Sequence, residues 1–233
     1  MRRESYVGQW LPEPLLTDRG KEDPAMQAER ADSLSMAFLL VLERLNPVER
    51  AVFLLHDVFG YEYGEVARIV GRNEANSRQL ATRARKHLEE SRRRFDASRQ
   101  EQRELAERFF AAVTDGDMDE LVDTLAADVV VYGDGGGKAP QWMVPIAGVD
   151  KVSRLFAALG RQMHELGVHV QLREINGQPG AIVLDPDEQI TNVFVLDIAD
   201  GAVQTIRSVI NPDKLHHLGP VADVRALMRR QRE

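Results

Sequence analysis

Between residues 74 and 94, side chains that can form hydrogen bonds with DNA bases are followed by side chains that can bind phosphate groups. Asn76 and Gln79 carry amides that can pair with adenine, and Arg78 carries a guanidinium that can pair with guanine. Later positions are mainly cationic, which suits contacts with phosphate groups. On a helix, which turns by about 100° per residue, these side chains lie on or beside one face, opposite a buried stripe. The candidate DNA-contacting residues are Asn76, Arg78, Gln79, Thr82, Arg83 and Lys86.

A second helix must hold this one against DNA. Short and long helical patterns, over about 63–70 and 74–94, are separated by Gly71, which suits the left-handed residue after a helix, and by Asn73, which can cap the next one. This is the helix-turn-helix arrangement, in which one helix braces the helix that enters the major groove. The competing interpretation is a solvated amphipathic helix. The capped turn, the short bracing helix and the change from amides to cations together favour DNA binding.

Two further helices are predicted before the bracing helix. The first spans about 31–45, and the second begins at the N-cap Asn46, is closed by a capping box with Glu49, and stops near Gly60. Residues 31–95 therefore predict an all-α domain.

Charge is unevenly distributed along the 233 residues, whose formal net charge is −7. Residues 44–95 carry eleven Lys/Arg against seven Asp/Glu, whereas residues 96–233 carry fourteen against twenty-two. A basic middle and an acidic second half indicate one module that faces nucleic acid and one that faces something else. No apolar window is long enough for a membrane span, no signal segment follows Met1, and there is no cysteine. We therefore expect a soluble, cytoplasmic protein without membrane contact, disulfides or thiolate chemistry.

The first thirty residues are expected to form a proline-containing linker. Pro12 and Pro14 fix their own φ angles and push the preceding residues towards extended backbone, which excludes a helix here. Trp10 and the leucines around it are too apolar for a linker that makes no contact with the rest of the protein. Two interpretations stay open: a tail that its tryptophan holds on some surface, or a specific docking motif.

The second half of the chain changes from helical to strand patterns. Asn176-Gly177 and Asp200-Gly201 are hairpin signals between strands. The helical patterns cover about 102–113, from 117 onward, and 149–164, and the strand patterns cover 128–132, 168–175, 181–184, 190–198 and 202–210. Helices followed by strands predict an α+β domain with a curved antiparallel sheet wrapped on helices, so that the whole chain is multidomain.

The glycine-rich stretch 133–138 does not match a phosphate-binding loop. Tyr132 stands where the first glycine is required, and Ala139 follows Lys138 in place of Ser or Thr. Three consecutive glycines instead indicate that the backbone approaches another surface closely. Asp134 could act as a base in a pocket, but no convincing partner acid accompanies it. The six histidines show no metal-ligand spacing, so we expect no catalytic residue, metal or cofactor.

The helical region resembles region 4 of bacterial sigma factors. The similarity is carried by 45–50 (Leu-Asn-Pro-Val-Glu-Arg), 64–71 (Gly-Glu-Val-Ala-Arg-Ile-Val-Gly) and 83–88 (Arg-Ala-Arg-Lys-His-Leu). In that family this domain reads the promoter −35 element and contacts the flap of the RNA polymerase β subunit, so the resemblance implies promoter DNA and core polymerase as partners. It also adds Glu74 to the expected −35 contacts. Residues 75–80 depart from the family's commoner sequence.

The second half resembles the SnoaL-like cone of the ketosteroid-isomerase-like superfamily, through 109–112 and 116–125. As a whole, the chain resembles extracytoplasmic-function (ECF) sigma factors with a C-terminal SnoaL-like extension, a subgroup in which the extension regulates the sigma factor from within the same polypeptide. Three short motifs carry this resemblance, at 10–14, 134–138 and 211–215. It implies regulatory or interdomain roles for Trp10, Pro12, Pro14, Asp134, Gly135, Gly136, Gly137, Lys138, Asn211, Pro212, Asp213 and Lys214.

The resemblance implies boundaries of 1–30 for the linker, 31–95 for region 4 and 96–233 for the SnoaL-like domain. Complete members begin with region 2, which clamps polymerase and melts the −10 element, and we expect this sequence to lack it, as in a truncated form. Two rival hypotheses remain. One is a one-component helix-turn-helix regulator whose cone binds a small molecule, and the other is an isomerase- or cyclase-like enzyme with a DNA-binding appendage.

Overall fold

The computed structural model describes residues 6–17, 36–92 and 99–230. The chain divides into two compact units. One unit contains residues 36–94, and the other combines the N-terminal segment up to residue 35 with residues 95–233. Parts of the predicted linker, of the first predicted helix and of the end of the long helix lie outside the described residues.

The first unit is helical throughout its described part. Its helices are α1 (Met36–Arg44), α2 (Pro47–Phe53), α3 (Tyr63–Val70) and α4 (Glu74–Arg92). A π-helical turn, Leu54–Val58, continues α2, with Phe59 N–H donating to the Leu54 carbonyl at 3.0 Å. The sequence pattern did not predict this wider turn.

The predicted helix ends are confirmed. The Asn46 side chain accepts from the backbone N–H of Val48 and Glu49, and Glu49 completes the capping box. Gly71 ends α3 with φ 65°, and the Asn73 side chain accepts from Asn76 N–H at 2.8 Å. These local bonds set the turn between α3 and α4.

Two apolar clusters hold the four helices together. The first contains Leu42, Leu45, Phe53 and Ala84, and the second contains Val52, Val66, Leu80 and Ala81. Both include residues of α4, whose buried stripe therefore determines which of its side chains face solvent.

The second unit is an α+β domain. Its helices are α5 (Arg99–Asp115), α6 (Met118–Thr124), α7 (Val149–Leu166) and α8 (Val224–Arg230), with a 3₁₀ turn at Pro212–Lys214. Its strands are β1 (Leu125–Asp134), β2 (Ile146–Ala147), β3 (His169–Ile175), β4 (Gln178–Leu184), β5 (Ile190–Ala199) and β6 (Ala202–Val209). None of the described helices is long and apolar enough to cross a membrane.

The sheet is mixed, which corrects the prediction of an antiparallel one. Its strand order is β2-β1-β6-β5-β4-β3, and β1 runs parallel to β6 whereas the other neighbouring pairs are antiparallel. The hairpins of the second half alternate strand direction, and β6 therefore returns beside β1 in the same direction. Long connections such as α7 permit this parallel pairing, which no local turn signal announces.

One face of the sheet packs against α5 and α7 around four phenylalanines. Phe109 meets Phe110 and Phe156 edge-to-face at centroid distances of 5.1 and 5.2 Å, and Phe194 on β5 lies 5.6 Å from Phe156. All four are at least 95% buried. The rings fill the space between the sheet and these two helices.

Gly160 on α7 sets the distance between α7 and α5. A Cβ at this position would lie 2.1 Å from the Val113 carbonyl oxygen, so even a methyl group forces the two backbones apart. We expect Gly160→Ala to lower the free energy of unfolding of this unit by about 1–3 kcal/mol. Urea titration followed by Trp142 fluorescence measures it, because Trp142 packs against this core. Ala158→Ser, at an exposed position of the same helix, is the control and should shift the value by less than about 0.5 kcal/mol. An unchanged Gly160→Ala midpoint would contradict the close packing of α5 on α7.

Candidate nucleic-acid interface and linker site

The α4 helix presents all seven predicted DNA-contacting side chains to solvent. Ser77, Leu80, Ala81 and Ala84 form its buried side. The exposed residues are Glu74, Asn76, Arg78, Gln79, Thr82, Arg83 and Lys86. The surface therefore offers two amides, a hydroxyl and several cations on one helix, which is the inventory that base edges and phosphates require.

Arg78 and Arg85 are held by neighbours on one flank of this surface. The Arg78 guanidinium pairs with Glu74 one turn earlier and lies over the Tyr63 ring, 5.3 Å from its centroid. Arg85 pairs with Asp57 at 2.6 Å and donates to the Tyr63 hydroxyl at 3.2 Å. The hydrogen bond to Asp57 raises the pKa of Arg85 above its ordinary value. Arg85 thus already has an acidic partner within the protein, unlike a cation that is kept for phosphate.

The linker residues 6–17 lie on the α+β fold of the second unit. Leu11 is 2% exposed, and Pro12 and Pro14 are also buried. The Pro14 carbonyl lies 2.8 Å from His217 Nε2. These contacts cover a part of the domain that is distant from the linker in sequence.

The end of the linker pairs with the hairpin between β3 and β4. Asn176 N–H donates to the Leu15 carbonyl at 2.7 Å, and Leu15 N–H donates to the Asn176 side chain at 2.9 Å. Thr17 N–H donates to the Glu174 carbonyl at 2.9 Å, and Leu16 forms an isolated antiparallel bridge with Ile175. Because β3 is the edge strand of the sheet, these residues add a short extra strand to it.

Asp134, at the end of β1, joins the linker to the domain. Its side chain is fully buried, and each carboxylate oxygen accepts two hydrogen bonds. Oδ1 accepts from the Tyr6 hydroxyl and from Gly136 N–H at 3.1 Å, and Oδ2 accepts from Leu11 N–H and Lys214 Nζ, both at 2.8 Å. Burial, and then the hydrogen bond to Asp134, raise the pKa of the Tyr6 phenol, which therefore remains a donor. Four protein donors therefore surround this carboxylate.

Lys214 is the cationic partner of Asp134 and is equally enclosed. Its ammonium also donates to the Leu11 carbonyl, and it lies 4.3 Å from the Trp10 ring centroid and 5.0 Å from that of Tyr6. Two aromatic rings, a carboxylate and a carbonyl thus surround one buried charge.

The glycine-rich loop is shaped by its neighbours from both distant motifs. Gly136 has φ 58°, and a Cβ there would lie 2.3 Å from Asn211 Nδ2. A Cβ on Gly137 would lie 3.0 Å from Val7 Cβ, and Gly135 similarly lies against the Ala139 carbonyl. At the loop's end, Lys138 Nζ pairs with Asp213 Oδ2 at 2.5 Å. The three consecutive glycines predicted that the backbone approaches another surface closely, and these short distances agree with that prediction.

Asn211 and Pro212 complete the set of predicted regulatory positions. The Asn211 side chain accepts from Asp213 N–H at the start of the 3₁₀ turn, in which Pro212 is the first residue, and it donates to the Tyr6 hydroxyl at 2.8 Å. The structure therefore brings the three motifs at 10–14, 134–138 and 211–215 together at one place, although more than 70 residues separate each from the next along the chain.

Comparison with known proteins agrees with both units. Residues 35–88 match the family "Sigma-70, region 4", and residues 106–206 match the "SnoaL-like domain" family. The chain is 36% identical over 222 residues to the ECF RNA polymerase sigma factor SigJ of Mycobacterium tuberculosis, covering 91% of this chain and 71% of SigJ. It is 32% identical over 196 residues to the probable ECF RNA polymerase sigma factor SigI of the same species, covering 84% of this chain and 64% of SigI.

A crystal structure of M. tuberculosis SigJ superimposes with a TM-score of 0.71 at 34% identity, over 94% of this chain and 78% of that one. The chain belongs to the ECF RNA polymerase sigma factors. The fold class predicted from the sequence, a region 4 helical domain followed by a SnoaL-like α+β domain, is thereby confirmed, with the mixed sheet as the correction.

Several residues that build the linker site of this sigma factor were missed by sequence reasoning. Tyr6 and His217 gave no signal, because an isolated tyrosine and one of two adjacent histidines are unremarkable in sequence. Asn176 was noted only as half of a hairpin signal, yet it adopts φ 53°, is fully buried and binds the linker on both sides of Leu15. Among the described residues, no cluster of His, Asp or Glu could hold a metal ion.

Removing Lys214 should release the linker of this sigma factor from its SnoaL-like domain. Lys214→Met leaves the Asp134 carboxylate buried without its cation, which costs about 3–5 kcal/mol. We expect the backbone amides of Leu11, Leu15 and Thr17 to exchange hydrogen at least about a hundredfold faster, since 1.4 kcal/mol corresponds to about tenfold. Hydrogen exchange followed by mass spectrometry measures this, with the amides of α4 as the internal reference.

Lys138→Met is the matched control for that change. It also removes one lysine–aspartate pair near the same loop, but the Lys138 and Asp213 side chains are 52% and 47% exposed. An exposed pair contributes less than about 1 kcal/mol, so the linker amides should keep their protection. Equal effects of the two substitutions would show that the buried pair does not hold the linker.

Proposed function

We propose that this sigma factor binds the promoter −35 element through the exposed face of α4. The observation that carries the proposal is the arrangement of Asn76, Gln79 and Arg83 on one solvent-facing side of α4, next to a capped turn and the bracing helix α3. Asn76 and Gln79 supply amides for adenine, and Arg83 with Lys86 supplies cations for the phosphates. The match of residues 35–88 to sigma region 4 supports the same placement.

The proposed second partner is core RNA polymerase. Region 4 in this family contacts the flap of the β subunit, and SigJ and SigI are both described as RNA polymerase sigma factors. The chain spans 71% and 64% of their lengths. We propose that the complete initiation activity also uses region 2, as a partner within the full-length sigma factor.

We further propose that the SnoaL-like domain regulates the sigma factor through the docked linker. The linker precedes region 4 in the chain, so its attachment near Asp134 and Asn176 limits the positions available to region 4. Release of residues 6–17 from the second unit removes that limit. The support for this role is that the linker contacts Asp134, Lys214 and Asn176, which lie in three separate parts of the second unit's sequence.

A non-enzymatic role for the SnoaL-like domain is supported by two observations. Asp134 is occupied on both oxygens by protein donors. The apolar cavity lined by Leu159, Met163, Phe194 and Leu227 measures about 90 Å³, and a second cavity, whose lining includes Arg103 and Leu172, measures about 220 Å³. Pockets for drug-sized ligands measure about 300–1,000 Å³. Both observations favour regulation by contact over turnover or binding of a large ligand.

The sequence preference of −35 DNA binding should depend on the amide side chains of α4. The salt dependence of that binding should depend on its cationic side chains. Gln79→Ala should reduce the preference for the cognate duplex over a scrambled one by about 1–3 kcal/mol. Lys86→Ala should weaken binding to both duplexes similarly and lower the slope of log K against log salt by about one. Fluorescence anisotropy at several salt concentrations measures both. Arg161→Ala, which removes an exposed cation on α7, is the control and should change neither quantity.

Transcription should respond to the linker contacts. In a chain that carries region 2, Trp10→Ala and Lys214→Met should change promoter output with core polymerase at least about threefold and in the same direction, since both release the linker. Lys138→Met should leave the output within about 1.5-fold, because an exposed pair contributes little. A run-off transcript assay at matched sigma concentration measures this. Opposite effects of the two linker variants would count against a shared regulatory contact.

A further inference from the structure

Tyr63, the first residue of α3, organises two arginines of the neighbouring helix α4. Its ring lies beneath the Arg78 guanidinium at 5.3 Å, and its hydroxyl accepts from Arg85 at 3.2 Å. Arg78 and Arg85 are seven residues apart, so they lie about 10 Å from each other along the same flank. One side chain on the bracing helix therefore contacts both.

The Tyr63 ring also contacts residues of the π-helical turn. The His56 ring from the π-helical turn stacks on it at 3.8 Å, with an interplanar angle of 29°. His56 Nδ1 lies 2.7 Å from the Tyr61 carbonyl, which orients the imidazole. On the side of the hydroxyl, Asp57 pairs with Arg85 at 2.6 Å and keeps that donor in place. The unpredicted π-helical turn therefore contributes two residues to the support of one tyrosine.

This support has a direct consequence for Arg78. A free arginine side chain samples many rotamers, whereas Arg78 is confined between the Glu74 carboxylate and the Tyr63 ring. The plane of the guanidinium is thereby limited before any ligand arrives. A guanidinium whose plane is already oriented suits the bidentate contact with O6 and N7 of guanine. It also loses less side-chain entropy on binding than a free arginine side chain does.

A phosphate contact fits this environment less well. Glu74 neutralises the Arg78 charge from one turn away, and its own carboxylate would approach the same phosphate. A base edge needs directed donors more than net charge, and an adjacent carboxylate repels the uncharged base edge less than it repels a phosphate.

We propose that Tyr63 is a positioning residue that presets the Arg78 guanidinium to read one guanine in the recognised promoter element. The assignment rests on the proposed −35 binding and deepens it. Tyr63 does not contact the base itself. Its ring, held by His56, directs Arg78, and its hydroxyl plays a separate part in holding Arg85.

The test compares base preference with total affinity. The 233-residue chain selects duplexes from a pool randomised over six base pairs, and sequencing gives the preference at each position. Tyr63→Leu, which keeps an apolar side chain but removes the ring, should reduce the guanine preference at one position about tenfold. Affinity for a scrambled duplex should stay within about twofold. Tyr63→Phe keeps the ring and should retain the preference.

Two further variants separate positioning from folding. In an Arg78→Ala background, Tyr63→Leu should cause no additional loss at that base pair, because the residue through which it acts is gone. Tyr61→Leu is the matched control, since Tyr61 is an exposed tyrosine two residues earlier, and its backbone carbonyl, which orients His56, is retained. It should leave all six preferences unchanged.

The outcomes distinguish the inference from the proposed function. If the wild-type chain selects no sequence at all, promoter reading through α4 fails and the role of Tyr63 fails with it. If the wild type is selective and Tyr63→Leu is equally selective, only the positioning role is overturned. A uniform loss of affinity for every duplex would also overturn it, because that result marks a phosphate contact or a folding defect.

Discussion

The buried ion pair between Asp134 and Lys214 is the interaction on which the second unit's organisation depends. The Asp134 side chain is fully buried and that of Lys214 is 8% exposed, so neither charge has much contact with water. Burying two charges costs several kcal/mol each, and their mutual attraction repays this only when additional hydrogen bonds satisfy the remaining atoms. Here the Leu11 backbone, the Tyr6 hydroxyl and the Trp10 ring supply those contacts. All three come from the linker.

This dependence makes the linker part of the domain and not an appendage. Without residues 6–17, Asp134 loses two of its four donors, and Lys214 loses a carbonyl and both rings. A charged contact is also a selective one, because an apolar segment that displaced the linker would leave both charges unsatisfied. A domain that used only apolar contacts could hold many segments, whereas this arrangement holds one in a single register. This single register is what the proposed regulation of region 4 through the linker requires.

The sequence predicted best those features that depend on neighbours in the chain. The caps at Asn46 and Asn73 and the exposed face of α4 follow from residues within a few positions of one another, where local rules apply. The contacts of Tyr6 and Leu11 with Asp134 join residues 128 and 123 positions apart. No local pattern encodes such a pair, and a shared regulatory or interdomain role for the motifs at 10–14, 134–138 and 211–215 was expected only through resemblance to a family. The parallel pairing of β1 with β6 escaped prediction for the same reason. The π-helical turn was missed because periodicity does not distinguish one wider turn from the end of a helix.

The two units thus use different physical means to reach a defined surface. In region 4, exposed side chains of the same helix or of the neighbouring one contact one another, as Glu74 and Tyr63 contact Arg78, and each contact is exposed enough to be weak on its own. A DNA-reading surface needs this, because its groups must remain available to a ligand. In the SnoaL-like domain, the buried charges of Asp134 and Lys214, which come from distant parts of the chain, satisfy one another. Strong, closed contacts suit a domain that controls where another segment lies, and weaker, open contacts suit a helix that must exchange its partners for base pairs. The two halves therefore differ in the exposure of the polar groups that form their contacts: those groups are exposed on α4 and buried around Asp134 and Lys214.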